Sequence, residues 1–176
     1  MKIGYPCINT SIVRETPSTF RLASYNEDCL VKVVRNNLDH LEKILHYNVK
    51  NNLLFFRISS GLIPFASHPV CKVNWQKHFA HRFKGLGEFI KENKIRISMH
   101  ADQFVLINLP KEQIVERSVR ELTYHCSLFA NHKRSYLPRS KYSFWTQFIE
   151  VVMKSHPVGR FVHFVDLFSH GHHYHY

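Results

Sequence analysis

Three times before residue 130 a short apolar run is followed by a loop and then by a long amphipathic stretch, and this alternation limits the fold more than any other feature. The first run, Met1 to Tyr5, has apolar residues at Met1, Ile3 and Tyr5 and reads as a strand. Residues 6–23 are irregular, broken by Pro6 and Pro17. Ser24-Tyr25-Asn26-Glu27 has the spacing of a capping box. Behind it Leu30, Val34, Leu38, Leu41 and Leu45 recur at spacings of three and four, which predicts a helix ending near Asn51-Asn52 with one face on a core.

Leu53 to Ser59 is too short for a buried helix and rich in aromatics, so a strand buried on both faces is predicted. A loop over 60–74 follows, then a helix over 75–93 with Trp75, Phe79, Phe83, Leu86 and Ile90 on one face. Ile95 to Met99 is a third strand. After a loop ending at Pro110, a third helix is predicted from about 111 to 129, with Ile114, Val115, Val119, Leu122 and Leu128 inward. Helices between successive strands imply parallel pairing with right-handed crossovers. The number of strands then separates a doubly wound sheet from a (β/α)8 barrel. No GxGxxG or GxxxxGK[ST] follows a strand, so the phosphate-cradle forms of the open sheet lose support.

Beyond residue 130 the pattern weakens. Residues 141–154 have a helical stripe and Arg160 to Leu167 reads as a fourth strand, before a His- and Tyr-rich tail whose imidazoles would bind transition metals nonspecifically. No apolar run is long enough to span a bilayer and the N-terminus lacks the look of a signal peptide, so a cytoplasmic protein is expected. Cys7, Cys29, Cys71 and Cys126 are scattered singly and read as packing thiols.

A formal charge of +11 suits a polyanion such as nucleic acid, although many small proteins are basic without one. In parallel α/β folds functional groups gather where strands end. The junctions here deliver Tyr5 and Asn9; Arg57, Ser59, Ser60 and then His68; His100, Asp102 and Gln103; and, from the fourth strand, His163 and Asp166. Two histidines just past consecutive strands can converge on Zn²⁺ or Mn²⁺, completed by carboxylates, and activate water toward a phosphodiester. The plainer alternative is that each imidazole only hydrogen-bonds its own loop. Gln103-Phe104 can wedge into a base stack, or Phe104 can be a core residue under the loop. Tyr5 in a first strand is ordinarily packing.

Several segments resemble the UV damage endonuclease family: Gly4 to Asn9, Phe20-Arg21, Asn36-Asn37-Leu38, Phe56 to Ser60, Ile63 to Pro69, Ser98-Met99-His100 with Gln103-Phe104, Glu116 to Ser118, and Glu121 to His125. The likeness covers residues 1 to about 129. It implies the N-terminal portion of a (β/α)8 TIM barrel, of the architecture of endonuclease IV and xylose isomerase, with about four βα units. It also implies metal-dependent, ATP-independent nicking of double-stranded DNA 5′ of UV photoproducts, with divalent ions, Mn²⁺ or Zn²⁺, at the barrel mouth. Motif by motif, His68 and His100 fall on family metal ligands, which makes them the catalytic candidates. Gln103 falls on the amide that probes the lesion, Phe104 on its aromatic neighbour, and Tyr5 and Asn9 on lesion-side contacts. Ala101 stands where relatives often have proline. His163 corresponds to a further ligand, in Phe161-Val162-His163, without the two glycines that follow in the family.

A complete barrel takes about 250 residues. The expectation is therefore a barrel portion over 1–130 and a divergent basic segment over 131–176 from a truncated or frame-shifted relative. The alternative is a short form whose open strand edges self-associate. The functional alternatives are a noncatalytic DNA-binding remnant and another metal-dependent barrel enzyme, an abasic-site endonuclease or a sugar isomerase.

Overall fold

In the computed structural model, which describes residues 2–12, 18–99, 104–106 and 110–133, the alternation becomes three parallel strands joined by helical crossovers. Strands β1 (Gly4–Pro6), β2 (Phe55–Ile58) and β3 (Arg96–Met99) lie in the order β1-β2-β3. Tyr5 pairs with Phe56 and Phe56 with Ile97, so these residues share one face of the sheet. The helices are α1 (Glu27–Lys50), α2 (Trp75–His78), α3 (Ala80–Glu92) and α4 (Glu112–Lys133). The predicted fourth strand and the helix over 141–154 lie outside the described residues.

The α1 stripe behaves as its spacing predicts: Leu30, Val34, Leu38, Leu41 and Leu45 are all buried. With Phe56 and Ile58 from β2, Phe83 and Leu86 from α3, and Tyr124 and Leu128 from α4, they form one core between sheet and helices. A buried Leu or Phe side chain contributes about 1.5–3 kcal/mol, so this layer dominates the stability of the unit. Both long crossovers return to the sheet through a left-handed residue after the helix. Asn52 (φ 56°) follows α1 and Lys94 (φ 52°) follows α3. Leu53 N–H then donates to Asn48 O at 2.8 Å and Ile95 N–H to Ile90 O at 2.9 Å, satisfying carbonyls the helix leaves open.

Four details differ from the sequence reading. The N-cap of α1 is Asn26, whose side chain accepts from Cys29 N–H at 2.7 Å, because Ser24 is taken up in a 3-10 turn over Leu22–Ser24. Strand β1 begins at Gly4 rather than at the N-terminus. Strand β2 buries only Phe56 and Ile58; Phe55 and Arg57 are half-buried on the opposite face, and the Arg96 guanidinium lies 5.1 Å from the Phe55 ring centroid. The helix over 75–93 is interrupted at Phe79 (φ −104°, ψ 17°), and Trp75 and Phe79 are both buried.

Gly4 is fixed by a close approach. A Cβ there would lie 1.6 Å from Phe55 O, so β1 and β2 can pair in this register only over a glycine. Gly85, within α3, has nothing within 4 Å of a Cβ position. Gly4→Ala is therefore expected to destabilise the fold by at least about 2 kcal/mol. Gly85→Ala should stabilise it by about 0.5–1 kcal/mol. Urea denaturation of both variants checks the pair.

Candidate functional site

The loop after β2, which carries His68, is held as part of the core. A 3-10 turn over Ser60–Leu62 is capped by Ser59, whose Oγ accepts from Gly61 N–H at 3.2 Å. Turn bonds then follow in series: Ala66 N–H to Ile63 O at 3.3 Å, His68 N–H to Phe65 O at 2.8 Å and Cys71 N–H to His68 O at 3.0 Å. Buried loop backbone needs partners, and here side chains supply them. Asn37 of α1 is 1% exposed. Its Nδ2 donates to Leu62 O at 3.1 Å and Ser18 O at 3.0 Å, and its Oδ1 accepts from Ser18 N–H at 2.7 Å. Tyr124 of α4 accepts from Ile63 N–H at 3.2 Å and donates to Ser60 O at 3.1 Å. Burial, the dominant effect, drives the Tyr124 pKa far above the phenol range, so the hydroxyl keeps the proton it donates.

Phe65 sits in the left-handed region at φ 60°, a conformation that costs a bulky residue about 1–3 kcal/mol. Its ring is gripped edge-on by Phe20 at 5.2 Å and Tyr25 at 5.8 Å between centroids, and the His68 ring follows at 6.3 Å. His68 is exposed, and its Nδ1 accepts from Val70 N–H at 3.1 Å. That bond orients the ring and assigns the proton of the neutral form to Nε2.

Next to His68, Ser67 Oγ donates to Glu121 Oε2 at 2.5 Å, and His125 Nε2 lies 3.2 Å from Glu121 Oε1. Burial acts to raise the Glu121 pKa. The hydrogen bonds from His125 and Ser67, with the His125 charge, together outweigh it, so the carboxyl titrates below the ordinary glutamate range. Helix α4 also fastens the loop after β3. Ser118, 1% exposed, accepts from Leu106 N–H at 2.8 Å and reaches Leu106 O and Ile114 O.

Tyr5 and Asn9 meet directly. Asn9 Nδ2 donates to the Tyr5 hydroxyl at 2.5 Å, and that hydroxyl donates to Asn48 Oδ1 of α1 at 2.5 Å. Asn9 Oδ1 accepts from Ser11 N–H at 2.9 Å, which fixes the amide orientation. Tyr5 also packs edge-on against Phe56, at 5.3 Å. Burial raises its pKa, and the bonds with Asn9 and Asn48 offset this only in part. Tyr5 thus packs and also carries a polar network. Asn48 Nδ2, fully buried, has no partner among the described residues.

Of the residues singled out from sequence, Tyr5 and Asn9 share one network and His68 belongs to the separate aromatic cluster. No hydrogen bond or ring contact joins the two among the described residues. Phe104 is 61% exposed, which overturns the alternative of a core residue under its loop. His100, Gln103 and His163 lie outside the described residues. Among the described residues no group of three or more His, Cys, Asp or Glu is placed to hold a metal ion. No described helix is long and apolar enough to cross a membrane. The four cysteines are free; burial raises the Cys7 and Cys126 pKa values, which suits packing thiols.

Sequence reasoning missed Asn37, Ser118, Glu121, Tyr124 and His125 as working parts. The available signal was position: Asn37 falls on the apolar stripe between Val34 and Leu41, and Ser118 falls three residues after Val115. A polar residue on a buried face has to find partners.

Comparison with known proteins follows the same stretch of chain. The family model for the UV-endonuclease UvdE matches residues 1–137. The UV DNA damage endonuclease of Clostridium perfringens (strain 13 / Type A) is 40% identical over 136 residues, covering 77% of this chain and 33% of that protein. That of Bacillus cereus (strain B4264) is 37% identical over 99 residues, covering 56% and 31%. The crystal structure of SacUVDE superposes with a TM-score of 0.73 at 44% identity, covering 76% of this chain and 46% of that one. The chain spans about a third of the length of the curated relatives it matches.

The Glu121 carboxylate contributes stability that is fully present above the ordinary glutamate range and is lost as pH falls through its depressed folded value. Melting temperature is therefore expected to drop on acidification below that range. Glu121→Gln should flatten this part of the profile while lowering stability at neutral pH, as read by thermal melts across pH.

Proposed function

The chain belongs to the UvdE UV-endonuclease family, and from that membership we propose that it supplies the lesion-reading and first metal-binding part of a metal-dependent endonuclease acting on UV-damaged double-stranded DNA. The observation that carries the reading is the extent of the family match. Residues 1–137 take in Tyr5, Asn9, His68, His100, Gln103 and Phe104, every candidate site residue except His163. The three-strand βα unit is, on this reading, part of a TIM barrel, with the barrel portion over 1–130 and a divergent segment over 131–176.

His68, His100 and His163 are the proposed ligands of a divalent ion, Mn²⁺ or Zn²⁺. When bound, such an ion supplies Lewis-acid activation of water and of a phosphodiester oxygen. His68 fits that role on one condition. Offering Nε2 as a ligand moves its proton to Nδ1 and gives up the bond from Val70 N–H. The side chains of this chain do the rest. Tyr5 is the proposed lesion-side contact, half-buried with its hydroxyl donating to Asn48, and Asn9, itself buried, holds that hydroxyl from behind. Phe104, exposed after β3, offers a ring that can stack where bases are unstacked, and Gln103 meets base edges. Exposed cations such as Arg21 and Lys72, on the loops that follow β1 and β2, suit the phosphate backbone. β1 and β3 are the outer strands of the described sheet, and their outer edges are where a second copy would associate.

A second reading is lesion binding without cleavage, favoured by the chain spanning a third of its relatives. One assay separates them: irradiated and unirradiated supercoiled plasmid with Mn²⁺ or EDTA, alongside binding of a duplex bearing a single photoproduct. The expected result is metal-dependent nicking confined to irradiated DNA and lost in His68→Ala. Phe104→Ala should reduce the preference for damaged duplex about five- to a hundredfold, the range of one lost stacking contact. Preference without nicking supports the second reading. Equal affinity for both duplexes, unchanged by Phe104→Ala, overturns both.

A further inference from the structure

We propose that Glu121 is a positioning residue for His68, gripping the adjacent Ser67 and so setting the backbone from which the imidazole projects. The purpose of this grip rests on the reading of His68 as a metal ligand; the grip itself does not.

The contact joins residues 54 apart in sequence. Ser67 occupies Oε2 of the carboxylate and His125, one turn along α4, faces Oε1. With its two oxygens on different partners the carboxylate cannot turn without losing one. His125 is 8% exposed, so the anchor is set in the wall of the fold rather than in solvent. On the other side of Ser67, His68 has little freedom of its own. Its N–H is tied to Phe65 O, its C=O to Cys71 N–H and its Nδ1 to Val70 N–H. A shift at Ser67 therefore reaches the ring through two covalent steps, without slack to absorb it. Because Nε2 can take a metal only with the proton on Nδ1, the ring as gripped is held in the tautomer that does not ligate. A clasp with a merely structural role would lower stability and leave the ring's environment as it is.

The test uses the full chain, ¹⁵N-labelled, with long-range ¹H–¹⁵N correlations of the His68 ring and titration with Zn²⁺ alone. Wild type, Glu121→Ala, Ser67→Ala and Ser67→Thr are compared. Wild type is expected to carry its neutral-form proton on Nε2 and to respond to Zn²⁺ at His68. Glu121→Ala and Ser67→Ala should mix the two tautomers and, since Nε2 ligates only with the proton on Nδ1, tighten Zn²⁺ binding at His68 by up to about tenfold. Ser67→Thr, which keeps the hydroxyl, should restore both. Ser67→Ala removes one oxygen only and decides the matter if Glu121→Ala does not fold. A cooperatively melting Ser67→Ala with wild-type His68 resonances and Zn²⁺ affinity overturns the proposal. If Zn²⁺ leaves His68 untouched in every variant while Ser67→Ala still mixes its tautomers, the positioning role stands and the ligand reading falls.

Discussion

Buried backbone in the loop after β2 has to be satisfied without secondary structure, and the rest of the molecule is arranged around that need. A peptide group left without a partner in the interior costs about 1–3 kcal/mol. The loop brings several such groups together at Ser60, Leu62 and Ile63. Asn37 answers from α1 and Tyr124 from α4, so elements distant in sequence converge on a few consecutive residues. The same two helices close the core over Phe56 and Ile58, which makes loop and core one cooperative body.

This arrangement gives the site its character. Function placed on loops needs a rigid support, and here the support extends into the loop itself. The energy needed to hold Phe65 at a left-handed φ comes from the rings of Phe20 and Tyr25 packed on it. Helix α4 acts as a spine. Ser118, Glu121 and Tyr124 lie along it at three-residue intervals and reach respectively the loop after β3, Ser67, and the turn at Ser60 and Ile63. Those intervals are the reason three contacts fit on one helix face.

Regular elements were legible because their periodicity is a direct image of burial. The leucine stripe of α1 and the aromatic stripe through α2 and α3 fell where spacing put them. The parallel order of the sheet followed from alternation alone. Polar work was much less legible. Asn37 and Tyr124 look like interruptions of an apolar face until the carbonyls and amides they meet are in place, and those come from residues that are far away in sequence. The break at Phe79 and the cap at Asn26 were hidden for a related reason, since a local pattern competes with tertiary packing and yields to it. The half-open second face of β2 was obscured because Phe55 reads as apolar while its partner on that face, Arg96, is a cation. For the candidate site, the resemblance supplied residue identities that spacing could not. Spacing supplied the strand ends from which they project.

Native-state hydrogen exchange at the amides of Ser18 and Ile63 tests the account most directly, since each is held by one side chain from a distant helix. If the loop after β2, and the Ser18 segment tied to the same Asn37, are part of the core, both amides exchange only with global unfolding, at the same free energy as Leu38 in the middle of α1. Exchange of either amide at the rate of an unprotected surface loop, with Leu38 still protected, would contradict it.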